Sequence, residues 1–199
     1  MKMGVAVWKE EFVNKIKEAD IKDEWKLVVD ENLLKGDRGL YYTQNTFAGF
    51  NCSKCRHHWK SSKVYILFLM NQNKIFKQGT VKMRIFRQEC KTCTADVFEI
   101  PKITHENMKR VVNNVVTKIQ KKFYSMHDPN EDLKPESFGR SEGPHDKEHC
   151  EACKYNLCGW QVQPGEYQKE LEPQGLYSSN ALTGLVMDLG RLTLNNKIK

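Results

Sequence analysis

The chain has 199 residues, 39% of them hydrophobic, and a formal net charge of +7. That is enough apolar material to bury a core in one domain and leave an extension. No stretch approaches the roughly 18 uncharged apolar residues that a membrane-spanning helix needs; the best candidate, Pro173 to Met187, is interrupted by Gly, Ser, Asn and Gln. The apolar run after Met1 is too short for a signal-peptide core and passes straight into charged residues, so the expected origin is cytosolic. Charge is uneven. Residues 1–125 carry 24 Lys and Arg against 13 Asp and Glu, whereas residues 126–199 carry 8 against 12. A basic first part suggests an anionic partner, nucleic acid or lipid headgroups.

In chain order, Trp8, Phe12, Ile16 and Ala19 recur at helical spacing among Lys and Glu, which predicts an amphipathic helix over about 7–19. Trp25 to Val29, Leu40 to Phe50 and Lys63 to Leu69 are β-branched or aromatic runs bounded by Gly, Asn or Asp, and read as strands. Val81 to Arg87 alternates apolar with basic residues. One face of such a strand is buried, and the other is expected to present Lys82, Arg84 and Arg87 to solvent. Asp96 to Ile100 is a further short strand. After Pro101, the residues Met108, Val111, Val112, Val115, Val116, Ile119 and Phe123 mark one face of a helix over about 105–125 with Thr104 as its N-cap; Lys109, Arg110, Lys118, Lys121 and Lys122 populate the remainder, read as a solvated face. The expected fold is α+β: an antiparallel sheet, stapled at its strand ends, packed by an N-terminal helix and a longer helix near 105–125, with a flexible tail. The expected organisation is a core domain over 5–125, a linker over 126–144 rich in Pro, Glu, Asp, Ser and Gly, a distal Cys/His cluster over 145–160, and a disordered tail over 161–199.

Seven cysteines carry the chemistry. An odd count cannot pair completely within one molecule, and cytosolic thiols stay reduced, so metal ligation leads over disulfides. Cys52-Ser53-Lys54-Cys55 and Cys90-Lys91-Thr92-Cys93 each set two thiolates on one tight turn at a strand end, and together complete a tetrahedral four-cysteine zinc site. Such a site has no open position for water, which argues for structure over hydrolysis. The run from His145 to Cys158 supplies Cys150, Cys153, Cys158 and a histidine for a second zinc site, of three cysteines and one histidine. Either His145 or His149 is the fourth ligand; the adjacency of His149 to Cys150 favours His145. The linker is expected to isolate this cluster from the sheet.

The run Phe50 to Cys55, followed by Trp59, Ser61 and Val64, then Val81 to Phe86 leading through Gln88 to Cys90 and Cys93, resembles the receptor-transporting protein family. So does His145 with Cys150-Glu151-Ala152-Cys153 and Cys158-Gly159. That resemblance implies an accessory protein that binds G-protein-coupled receptors of odorant, bitter-taste or opioid type and assists their folding, exit and delivery to the cell surface. It also implies a branch that is interferon-inducible, antiviral and binds viral RNA. Family members commonly end in one membrane-spanning helix, whereas Leu176 to Lys199 here is mixed polar. The expected location is therefore cytosolic to peripheral membrane.

Two functional classes follow. One is a receptor-trafficking adaptor whose partners are G-protein-coupled receptors. The other is an RNA-binding effector in which Lys82, Arg84 and Arg87 contact phosphates, or anionic headgroups, while Trp59 and Tyr65 stack on unpaired bases. No nucleophile–base pair, phosphate loop or open metal site supports an enzyme.

Overall fold

The computed structural model describes residues 4–94, 96–125 and 145–158. The linker over 126–144 and the tail over 161–199 lie outside the described residues. The element order is α1 (Val5–Glu18), β1 (Glu24–Val29), β2 (Leu40–Asn51), β3 (His58–Asn73), β4 (Gln78–Ile85), β5 (Gln88–Glu89), β6 (Phe98–Glu99), α2 (His105–Phe123) and a short α3 (Glu151–Lys154). The fold is α+β, as expected.

Four strands form one sheet in the order β1-β4-β3-β2, and β5 pairs with β6 in a small separate ribbon. β2, β3 and β4 run antiparallel to one another in turn. The sheet is not antiparallel throughout, because β1 joins its edge parallel to β4, with Trp25 opposite Gly79 and Val29 opposite Met83. A parallel partner needs a long crossover, which the chain between β1 and β4 provides. A Cβ at position 79 would run into the Trp25 indole, so glycine lets that edge close.

The two faces of the sheet are buried against different things. Ile66, Phe68 and Met70 of β3 and Val81 and Met83 of β4 face the helices, where Trp8, Phe12 and Ile16 of α1 meet Met108, Val111, Val112, Val115 and Ile119 of α2. Tyr65, Leu67 and Leu69, one residue out of step, face Leu33, Cys150, Ala152 and Leu157. This double burial explains why Val64 to Met70 is an unbroken apolar run rather than an alternating one.

The helices begin and end close to where their patterns place them. Thr104 Oγ1 accepts from Asn107 N at 3.3 Å as the N-cap of α2, and Lys121 and Lys122 sit in its last turn, where the helix dipole favours cations. Arg110 departs from the solvated face expected of it. It is buried, donating from Nη2 to Asn45 O at 3.1 Å, and Asn114 Nδ2 donates to Gln44 Oε1 at 3.1 Å while Gln44 Nε2 donates to Val111 O at 2.9 Å. This polar seam fixes α2 in one register on β2.

Candidate metal centre

The first cysteine pair occupies the turn from β2 to β3. Cys52 N donates to His57 O at 2.8 Å, and Arg56, at φ 62°, takes the left-handed conformation that lets the chain reverse. The amides of Lys54 and Cys55 both donate to Cys52 Sγ at 3.4 Å. The Cys55 amide first, with Lys54 and the Cys93 thiol, lowers the Cys52 thiol to about 7, which favours the thiolate a metal requires. Beyond β5, the second pair brings Cys93 Sγ to 3.5 Å from Cys52 Sγ and Cys90 Sγ to 3.7 Å from Cys55 Sγ. Four sulfurs around zinc at about 2.3 Å sit about 3.8 Å apart along the tetrahedron's edges. The sulfur distances therefore fit a zinc ion with only a small adjustment.

The distal group is built differently. His145 Nε2 lies 3.2 Å from Cys153 Sγ, and Cys150 Sγ lies 3.5 Å from Cys158 Sγ. In each of the two groups, one ligand atom per residue falls within 4.8 Å of all the others. The Cys158 thiol, donating to Cys150, depresses the Cys150 thiol to about 5, while that same bond and burial push Cys158 up. All seven cysteines are free, with no disulfide among them. His149 points elsewhere: its Nδ1 is 2.9 Å from Asp146 Oδ2. Of the two candidate histidines, the geometry gathers His145.

The expected isolation of this distal group from the sheet does not hold. Glu89 N donates to His149 O at 2.8 Å, and Gln88 pairs with Cys150 as an isolated bridge, so the two-residue strand β5 leads into Cys90 on one side and holds the distal group on the other. Glu151 clamps the contact. One carboxylate oxygen accepts from Arg84 Nη2 at 2.7 Å and the other from Arg87 N at 2.7 Å, while Glu151 N donates back to Arg87 O at 3.1 Å.

That clamp corrects the basic face expected of β4. Arg84 is 5% exposed, donates to Leu33 O at 3.2 Å, and lies over the rings of Phe86 and Tyr155. Lys82 sits 3.4 Å from Asp30 and 3.5 Å from Asp37, and Arg87 is 2.7 Å from Glu31. The alternation holds only from Val81 to Ile85, since Phe86 takes the next place on the Lys82–Arg84 face and Arg87 lies beyond β4; the chain following β1 and the distal group cover that face. The aromatic platform is also closed. Tyr65 is buried, and Trp59 stacks on Phe50 at 5.1 Å, faces His57 at 5.9 Å, and donates from Nε1 to Gln88 Oε1 at 3.1 Å.

The sequence profile of a three-CxxC zinc ribbon, described as a zinc-binding domain, matches residues 45–156, more than half of the chain. Among curated proteins, the chain is 36% identical over 155 residues to receptor-transporting protein 3 of Mus musculus. It is 33% identical over 160 residues to receptor-transporting protein 4 and 31% identical over 175 residues to receptor-transporting protein 2 of the same organism. These alignments take in 76%, 77% and 86% of this chain. The chain belongs to the receptor-transporting protein family. It spans 33%, 64% and 76% of the lengths of those three relatives, respectively. No solved structure matches it.

The chain carries two cysteine-rich groups that can each hold a zinc ion. Among the described residues, no helix is long and apolar enough to cross a membrane. Sequence reasoning missed Glu151 and Asp146, the carboxylates that dock the distal group and orient His149. The available signal was that both acids lie inside the Cys/His run itself, where polar partners for its backbone and ligands are needed.

Proposed function

We propose that this protein is a zinc-stapled accessory factor, not an enzyme, that binds G-protein-coupled receptors of chemosensory or opioid type. It promotes their insertion, trafficking or targeting to the plasma membrane from the cytoplasmic side. The observation that carries this reading is membership of a family whose relatives are named receptor-transporting proteins, with a zinc-binding profile over residues 45–156 that takes in every proposed ligand but Cys158. The ligands assigned are Cys52, Cys55, Cys90 and Cys93 for one zinc, and His145, Cys150, Cys153 and Cys158 for the other. Four protein ligands complete each tetrahedron, so the ions serve architecture, and receptor contact falls to the surface they hold in shape. Co-expression with a panel of chemosensory and opioid-type receptors, read as surface receptor by antibody staining of intact cells, is expected to raise surface levels of at least one client. Unchanged levels across the panel, with the protein folded and zinc-loaded, would overturn the reading.

A second reading, RNA binding, is favoured by a cleft of about 280 Å³ between the two metal groups, lined by His57, Lys60, Lys63, Lys91 and His149 among others. Lys60, Lys63 and Lys91 are exposed there and replace the β4 residues as candidate phosphate contacts. Filter binding of single-stranded RNA is expected to weaken uniformly across sequences when all three are changed to Glu.

A further inference from the structure

The tip of the β3–β4 hairpin lies at the far end of β3 from the cysteines and carries two exposed apolar side chains. The loop is Lys74-Ile75-Phe76-Lys77, between the paired residues Asn73 and Gln78. Ile75 is 87% exposed and Phe76 69% exposed, the two most exposed large apolar side chains among the described residues. A single exposed leucine or valine on a protein surface needs no explanation. Two adjacent large apolar residues at the apex of a loop are different, because nothing in the hairpin needs them there.

The loop holds these side chains out. Asn73 Oδ1 accepts from Ile75 N at 3.1 Å and from Phe76 N at 3.2 Å, and Lys77, at φ 51°, takes the left-handed conformation that closes the turn. The backbone at the apex therefore has partners, and its apolar side chains project from an ordered turn. Behind the loop, the sixteen residues of β3 extend about 50 Å towards Cys55, at the usual rise per residue.

Charge and size decide what meets the tip. Lysines flank the apolar pair on both sides and are exposed. On the neighbouring strand and the loop before it, Lys26 pairs with Glu24 and Lys22 with Asp20, while Asp23 accepts from Gln72 Nε2 and from the Tyr124 hydroxyl, each at 2.8 Å. Apolar residues between cations match the boundary of an anionic bilayer, with rings and aliphatic groups among the acyl chains and ammonium groups among the phosphates. A stable protein interface buries about 800 Å² on each partner, about twice or more what two side chains present.

We propose that Ile75 and Phe76 insert into the acyl boundary of an anionic membrane while Lys74 and Lys77 contact its headgroups. The insertion does not depend on the receptor reading, because it needs only lipid. The test is sedimentation of the zinc-loaded full chain with vesicles of phosphatidylcholine containing about 30% phosphatidylserine, against pure phosphatidylcholine. The unmodified chain is expected to bind the anionic vesicles, and the double variant I75S/F76S to bind about tenfold more weakly with zinc content and circular dichroism unchanged. In the F76W variant, quenching by brominated lipid is expected beyond that of the native tryptophans. Absence of binding by the unmodified chain would overturn the proposal. So would undiminished binding of I75S/F76S, which would leave attraction by charge alone. A photo-crosslinker at position 76 that captures a protein and no lipid in cells would overturn it in favour of a protein partner.

Discussion

The two cysteine groups have nearly the same donor atoms and stand in different relations to the sheet. The first draws its ligands from two turns separated by β3 and β4, so that a metal there would join strand ends distant in sequence. The second draws all four ligands from fourteen residues, His145 to Cys158, and could be assembled by that segment alone. Yet the second is the more deeply engaged with the core: Cys150, Ala152 and Leu157 are buried against Tyr65, Leu67 and Leu69. Of the first, Cys52 and Cys90 are buried but belong to none of the apolar clusters, and Cys55 is exposed. Ligand spacing thus shows how a site closes, and burial shows what depends on it. The first group fastens the end of the sheet, whereas the second covers one of its faces.

This difference predicts unequal losses. Cys90→Ser removes a ligand that joins β5 to the β2–β3 turn, and is expected to cost on the order of 5 kcal/mol, a large part of a domain's stability. Chemical unfolding monitored by circular dichroism, with and without strong chelator, measures it; an unaltered transition in chelator would contradict a structural role for the metal. Arg84→Ala leaves the largely shielded Glu151 without its cation, and the expected loss is about 3 kcal/mol. The side chains of this pair are 6% and 13% exposed, so solvent does little to screen it. A double-mutant cycle with Glu151→Gln separates the pair from the packing of Arg84 on Phe86 and Tyr155.

The same contrast marks what could be read from the sequence. Both helices were legible because a period of 3.6 is local, and Met108 to Ile119 declares a buried face without reference to any partner. The Cys-x-x-Cys pairs were legible for the same reason. Alternation along β4 correctly separated Val81 and Met83 from Lys82 and Arg84, but a period of two says only which residues share a face. What covers that face comes from Leu33 and from Glu151, which lies 67 residues beyond Arg84 and on the other side of α2 in the chain. The parallel edge formed by β1 was hidden likewise, since pairing with β4 is a property of the crossover and not of Trp25 to Val29. The adjacency of His149 to Cys150 already favoured His145, and Asp146, which holds the His149 ring, supplies the reason the sequence could not show.

Two smaller effects complete the series. Cys153→Ser is expected to release the distal metal while the buried Ala152, Leu157 and Arg84–Glu151 contacts remain, at a cost of about 2 kcal/mol. Hydrogen exchange should then rise at Tyr65, Leu67 and Leu69 while the amides of α1 and α2 keep their protection. Equal change on both faces of the sheet would contradict the division between the groups. Lys82→Ala removes half-exposed pairings with Asp30 and Asp37 and is expected to shift stability by less than about 1 kcal/mol, as surface ion pairs do. Thermal denaturation at low and raised salt checks this, since the remaining contribution should be screened.

Native mass spectrometry of the purified full chain, with the zinc count read from intact mass, tests the arrangement most directly. Two groups that can each hold a zinc ion predict two ions per unmodified chain and one per chain of Cys153→Ser, with the remaining ion held by Cys52, Cys55, Cys90 and Cys93. A single ion in the unmodified chain, or loss of both on Cys153→Ser, would contradict two separate centres.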